Sequence, residues 1–171
     1  MGFPGAQRLD PLSWLVLPML LALAAAVLFT LPLRLFGLQL PEPVWPLAPA
    51  FAWAMIRPSV IAPFLVLLMG LFLDFLWGGP SGLWGFSILF GFGFILLARS
   101  MMIGQSLVVL WSWFGLMSVL VFAAAYLLTM LDSGSRPDLF ATGLQLLPTL
   151  LLYPLAHQLI ERFEDADVRF R

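Results

Sequence analysis

Residues 70–82, GLFLDFLWGGPSG, hold one carboxylate, Asp74, inside a run of leucine and phenylalanine that ends in glycine and proline. A charge in an apolar segment is costly, and in membrane proteins such residues face a bundle interior, a cavity or a partner. The glycine and proline residues predict that a helix ends at about Trp77 and that the chain turns there. Asp74 therefore lies in the last turn of a predicted helix.

The composition of the whole chain indicates a membrane protein. Of the 171 residues, 62% are apolar and 10% are charged, whereas soluble domains have roughly 45–50% and about 25%. All eight cationic residues are arginine and the net charge is −1, so no basic face is available for nucleic acid. The chain has no cysteine and one histidine, which argues against a disulfide framework and against a metal site built from thiolates or several histidines.

The charged residues divide the chain into apolar segments. A bilayer core of about 30 Å needs roughly 20 apolar residues in a helix. We predict an all-α integral membrane protein, a single transmembrane domain over residues 1–171. Its six helices are 12–33, 43–56, 59–77, 82–98, 106–130 and 139–160. The second is only fourteen residues long with three prolines, and length alone would make it re-entrant or interfacial.

The arginine distribution favours six crossings. With the N-terminus inside, six arginines lie on the cytoplasmic side and only Arg34 and Arg136 lie outside, as the positive-inside rule expects. Five helices with the N-terminus outside give the same ratio, and this alternative stays open. We predict six helices with cytoplasmic termini, the first helix being retained rather than cleaved as a signal peptide. The Asp74 turn then faces the outer side of the membrane.

Two roles are open for Asp74: accepting hydrogen bonds from the N–H groups of the 78–82 turn, or contacting a partner. Asp138 is expected to cap the last helix. In that helix Tyr153, His157 and Glu161 share one face, which favours an interfacial polar edge over a proton path. No Ser-His-Asp set, aspartate pair or H-E-x-x-H helix can be assembled, so no catalytic, cofactor or metal residue is predicted.

Four segments in order carry a family resemblance: FAWAMIRPS (51–59), LMGLFLDFLWGGPSGLWGF (68–86), LLAR (96–99) and RPDLF (136–140). With these segments the chain resembles the MreD family of rod-shape-determining bacterial inner-membrane proteins. The most specific part is a G-x-x-x-D-x-x-x-G pattern followed by one more glycine. The motif and partner-contact candidates are Arg57, Pro58, Gly70, Asp74, Gly78, Gly82, Arg136 and Pro137.

The resemblance implies a non-enzymatic scaffold of the cell-elongation complex, which builds lateral peptidoglycan. Its partners would be MreC, the glycosyltransferase RodA and a penicillin-binding transpeptidase, with the filament protein MreB acting indirectly. It also implies a bundle similar to the substrate-binding components of energy-coupling-factor vitamin transporters. The alternative function is such a small-molecule-binding transporter component, although a pocket for a polar vitamin needs several convergent polar groups and the spans contain few.

Overall fold

The structure is a computed structural model that describes residues 11–30, 34–35, 38–39, 41–56, 59–134 and 137–168. Almost all of these residues are helical, which confirms the all-α prediction. Within the described residues the helices are α1 Pro11–Thr30, α2 Leu47–Ile56, α3 Ala62–Trp77, α4 Leu83–Ala98, α5 Leu107–Ser133, α6 Leu139–Leu150 and α7 Tyr153–Val168. A 3₁₀ turn, Arg99–Met101, follows α4. Strands β1 (Arg34–Leu35) and β2 (Leu38–Gln39) form a short antiparallel pair.

Three helical segments are long and apolar enough to cross a membrane: Leu83–Met101, Leu107–Ser133 and Leu139–Glu161. Shorter apolar helices cover Leu15–Thr30, Leu47–Ile56 and Ala62–Trp77. Large leucine and phenylalanine side chains are exposed on α1, α3, α4, α5 and α6. Exposed apolar surface of this extent is not stable in water, so the chain is a membrane protein with these side chains facing lipid or other proteins.

The shortest helix, α2, lies in the middle of the bundle. All its residues from Leu47 to Ala54 are buried, and it packs against α1, α3, α4, α5 and α7. Its ten residues give a length of only about 15 Å. The preceding segment is not helical but is buried and hydrogen-bonded: the Trp45 N–H donates to the Pro43 carbonyl at 3.0 Å, and the Val44 N–H donates to Thr149 Oγ1 at 3.1 Å.

The predicted helix over 139–160 is interrupted at residues 151–152 and forms α6 and α7 instead. Pro154 has no N–H and cannot donate to the carbonyl four residues earlier, at Leu150. The Trp111 indole Nε1 of α5 donates to that carbonyl at 3.3 Å. A neighbouring helix therefore satisfies the acceptor that the proline leaves free, as is required inside a membrane.

Glycines set the distances between α4 and its two main neighbours. A Cβ added at Gly70 of α3 would lie 2.4 Å from the Gly85 Cα of α4. A Cβ added at Gly91 would lie 2.4 Å from Val121 Cγ2 of α5, whereas one at Gly93 would meet open space. The glycines of α4 therefore provide close contacts with two different helices, Gly85 with α3 and Gly91 with α5.

Candidate functional site at the Asp74 turn

The Asp74 carboxylate connects the end of α3 to the beginning of α4. Asp74 is 3% exposed, and its Oδ2 accepts from the Gly82 N–H at 2.8 Å while its Oδ1 accepts from the Trp84 N–H at 2.8 Å. The Gly85 N–H lies 3.5 Å from Oδ2. The first N–H groups of a helix have no partner within the helix, and the helix dipole favours negative charge there. A side chain from α3 therefore caps α4.

The main chain of Asp74 also closes its own helix. Its carbonyl accepts from the Gly78 N–H and, at 3.1 Å, from the Gly79 N–H. Gly78 adopts the left-handed conformation at φ 66°, and Gly82 has φ 99°. Glycine adopts such positive φ values without the steric penalty of a Cβ atom. Of the two roles open for Asp74, hydrogen bonding to the turn is present, but the N–H groups that donate to the carboxylate belong to Gly82 and to the first turn of α4 rather than to the whole 78–82 turn. The role in partner contact stays a prediction.

Two adjacent glycines of this turn offer a matched pair for mutation. A Cβ at Gly78 or at Gly79 would meet no atom within 4 Å, but only Gly78 has a positive φ. We expect Gly78→Ala to lower the free energy of unfolding by roughly 1–2 kcal/mol, the cost of left-handed backbone with a Cβ. Gly79→Ala should leave it nearly unchanged. Thermal unfolding midpoints in detergent test this, and equal midpoints for both variants would contradict it.

A cleft of about 270 Å³ opens beside the turn. Its lining residues are Leu71, Asp74, Phe75, Gly78, Gly79 and Ser81. Phe75 is 86% exposed, so one wall of the cleft is an aromatic ring that faces outward. The Asp74 oxygens that border the cleft already accept backbone N–H groups, and Leu71 and Phe75 make part of the lining apolar.

Aromatic contacts join the turn to the rest of the bundle. The Trp77 Nε1 donates to Glu42 Oε2 at 2.6 Å, which ties the end of α3 to the segment before α2. Trp77 and Trp84 make an edge-to-face contact with ring centroids 5.2 Å apart, and Trp84 meets Phe122 of α5 in the same way at 5.5 Å. Edge-to-face aromatic pairs add about 0.5–1.5 kcal/mol beyond their buried area, so the turn is held on two sides.

The predicted site residues fall into three groups. Gly78, Gly82 and Asp74 meet at the turn, and Gly70 lies one turn earlier on α3, against α4. Pro137 lies in the α5–α6 connection, next to the Asp138 carboxylate, which caps α6 as expected by accepting from the Phe140 N–H at 2.8 Å. The candidates Arg57, Pro58 and Arg136 lie outside the described residues.

Four of the six residues that line the cleft were not among the predicted site residues: Leu71, Phe75, Gly79 and Ser81. A signal for Phe75 was available. It follows Phe64, Leu68 and Leu71 at spacings of four, three and four residues, and residues at such spacings share one face of a helix. All four are exposed, so α3 presents a continuous apolar stripe that ends at the cleft.

Tyr153, His157 and Glu161 of α7 are not joined to one another by a continuous chain of hydrogen bonds. His157 Nε2 lies 3.1 Å from Glu161 Oε1, but the Tyr153 hydroxyl donates to the Leu107 carbonyl of α5 at 3.3 Å. The rings of Tyr153 and His157 stack, with centroids 5.9 Å apart. These contacts favour the polar edge over a proton path through all three residues.

Comparisons with protein-family models, curated proteins and solved structures find no match for this chain. The resemblance to MreD therefore rests on the four sequence segments. Within the described residues, no cluster of three or more histidine, cysteine, aspartate or glutamate side chains could hold a metal ion.

Proposed function

We propose that the chain is an MreD-like scaffold of the bacterial cell-elongation complex, which binds MreC in the inner membrane. Through MreC it would position RodA and the penicillin-binding transpeptidase, with MreB acting indirectly. The single observation that carries the proposal is the α3–α4 hairpin, whose Asp74 cap and glycine contact are buried while the adjacent stripe and cleft are exposed. The order of the MreD-like segments in the sequence supports the same proposal.

The exposed stripe of α3 suits a partner helix. Phe64, Leu68, Leu71 and Phe75 project from one face, with the spacing that lets side chains of a second helix pack between them. The helix that carries the stripe is held in place on its other face, because Gly70 brings the α3 backbone directly against Gly85 of α4. A surface that is already ordered loses little conformational entropy on binding. In this proposal the membrane helix of MreC packs along the stripe, and its outer end reaches the cleft.

The proposal places both termini in the cytoplasm and has six segments cross the membrane. The α2 segment is the critical one, since its helix is short and non-helical backbone is tolerated at membrane depth only where protein covers it. The buried residues Pro43, Val44 and Pro46 before α2 meet that condition. Reporter domains active only in the periplasm should be active when fused after residues 80 and 135 and silent after residues 57 and 102. Activity after residue 57 would show that the α2 segment does not cross the membrane.

Capture of MreC tests the binding surface, and two phenylalanines of one helix face serve as a matched pair. Phe75 is 86% exposed at the cleft and Phe64 is 69% exposed at the opposite end of α3. We expect Phe75→Ala to weaken capture of MreC from mildly solubilised membranes roughly tenfold, equivalent to about 1.4 kcal/mol, through loss of an aromatic anchor. Phe64→Ala should have a smaller effect.

Two outcomes would count against this assignment. If wild-type protein captures no MreC, the scaffold function is wrong, and co-elution of transporter ATPases instead would favour the vitamin-transport alternative. If the two alanine variants capture MreC equally well, the partner binds elsewhere on the bundle. Both variants should keep the wild-type unfolding midpoint, since neither side chain is buried.

A further inference from the structure

The α3–α4 hairpin is short for two helices that cross a membrane. Each helix has 16 residues, which gives a length of about 24 Å. The 3₁₀ turn after α4 adds little apolar length, because it begins with the charged residue Arg99 and the polar residue Ser100. The hydrocarbon core of a typical bilayer is about 30 Å thick, so the apolar part of the hairpin is about 6 Å shorter than that core.

Exposed non-helical backbone limits the hydrocarbon at both ends of the hairpin. At one end, residues 78–81 of the turn lie outside any helix and are exposed. At the other end, Val60 and Ile61 before α3 and residues 103–106 before α5 are also exposed and lie outside any helix. Lipid-exposed backbone of this kind does not occur within the hydrocarbon region. The two boundaries of the hydrocarbon beside the hairpin are therefore no farther apart than its helices are long.

Neither tilting nor snorkelling removes this mismatch. A helix that tilts away from the membrane normal spans less hydrocarbon, so tilting would increase the difference. Snorkelling carries the charged end of a long side chain to water, whereas the groups at both ends of the hairpin belong to the backbone and cannot extend. Thinning of the bilayer is the remaining response that keeps lipid on an exposed face of the hairpin.

We propose that α4 binds a locally thinned layer of lipid, enriched in phospholipids with short acyl chains. Phe86, Phe90 and Leu97 are exposed on α4, and their spacings of four and seven residues place them on one helix face. Helix α5 differs, because its 27 residues give a length of about 40 Å and lipid beside it need not be thinned. The inference does not rest on the proposed function, since the stripe proposed to bind MreC belongs to α3.

Brominated lipids can measure which acyl chains lie beside each helix. The chain has no cysteine, so a single bimane fluorophore can be attached to Phe90→Cys in the middle of α4 or, as a control, to Val119→Cys in the middle of α5. Both positions are exposed. Each labelled protein is reconstituted alone in mixed vesicles of dimyristoleoyl and dierucoyl phosphatidylcholine, with either the short-chain or the long-chain lipid brominated. Quenching of the fluorophore gives the relative affinity of the two lipids at that position.

We expect the short-chain lipid to be favoured at least about twofold at position 90 and not to be favoured at position 119. The same chain-length preference at both positions would overturn the inference, and so would a preference for the long-chain lipid at position 90. If the lipids quench the label at position 119 but not at position 90, protein covers this face of α4 and the inference is also wrong.

A second position on the same face of α4 guards against a variant that does not reconstitute. Phe86→Cys adds its label four residues from Phe90, and Phe86 is also exposed. The same preference for the short-chain lipid is expected there. Because MreC is absent from these vesicles, failure of this inference leaves the scaffold function intact, and failure to capture MreC leaves this inference intact.

Discussion

Among the glycines that the structure describes, Gly70 is the one whose replacement by alanine is expected to destabilise the bundle most. The new Cβ would lie 2.4 Å from the Gly85 Cα, 2.6 Å from the Gly85 nitrogen and 2.8 Å from the Trp84 carbonyl carbon. All three are backbone atoms, so no side-chain rotation can relieve the overlap and the two helices must separate. Overpacking of this kind costs typically 1–3 kcal/mol, and sometimes more. This destabilisation is measured as the shift in the midpoint of thermal unfolding in detergent, with size-exclusion chromatography used to monitor the folded fraction.

Gly93→Ala is the matched control, because it adds the same methyl group to the adjacent helix. A Cβ there would meet nothing within 4 Å, and alanine stabilises a helix interior by about 1 kcal/mol relative to glycine. We therefore expect an unchanged or higher unfolding midpoint for Gly93→Ala. If Gly70→Ala were as stable as this control, α3 and α4 would not be in backbone contact, and the rigid stripe on which the proposed partner site depends would be lost.

The position of the turn could be predicted from the sequence because its signals are local. The glycine and proline residues after Trp77 predicted that the third helix ends at Trp77, which is where α3 ends. Asp74 was identified as a candidate because it is a charged residue in an apolar segment. The backbone N–H groups that donate to the Asp74 carboxylate were only partly predictable. A carboxylate can reach the first turn of the next helix only when the two helices cross closely, and that crossing depends on the contact between Gly70 and Gly85.

Features that depend on tertiary contacts were harder to predict. The prolines around α2 indicated a short helix, but short apolar helices occur both at the membrane surface and in a core, and only the packing of its neighbours places α2 in the centre. The last span contains Pro148 and Pro154, and a proline at either position can interrupt a helix. The break falls where Trp111 supplies a donor to the Leu150 carbonyl, and that donor is distant in sequence.

Asp74→Ala should lower the stability of the folded chain more than the loss of an ordinary helix cap. It removes the acceptor of the Gly82 N–H, which is buried, and of the Trp84 N–H, which is partly buried. Each buried donor left without a partner costs about 1–3 kcal/mol, so a loss on the order of 3 kcal/mol is expected. The control is Asp138→Ala, which removes an exposed cap with one bond to Phe140 and should cost about 1 kcal/mol. Unfolding midpoints compare the two.

The same substitution decides between the two roles left open for Asp74. If the carboxylate acts by holding the turn, Asp74→Ala should weaken MreC capture in proportion to its loss of stability. Asp74→Asn, whose amide keeps one acceptor oxygen for the Gly82 or Trp84 N–H, should then restore part of both. If Asp74→Ala instead keeps the wild-type midpoint but loses capture, the carboxylate contacts the partner directly and its bonds to α4 are dispensable. Because the carboxylate is 3% exposed and accepts N–H groups of α4 through both oxygens, we expect stability and capture to fall together.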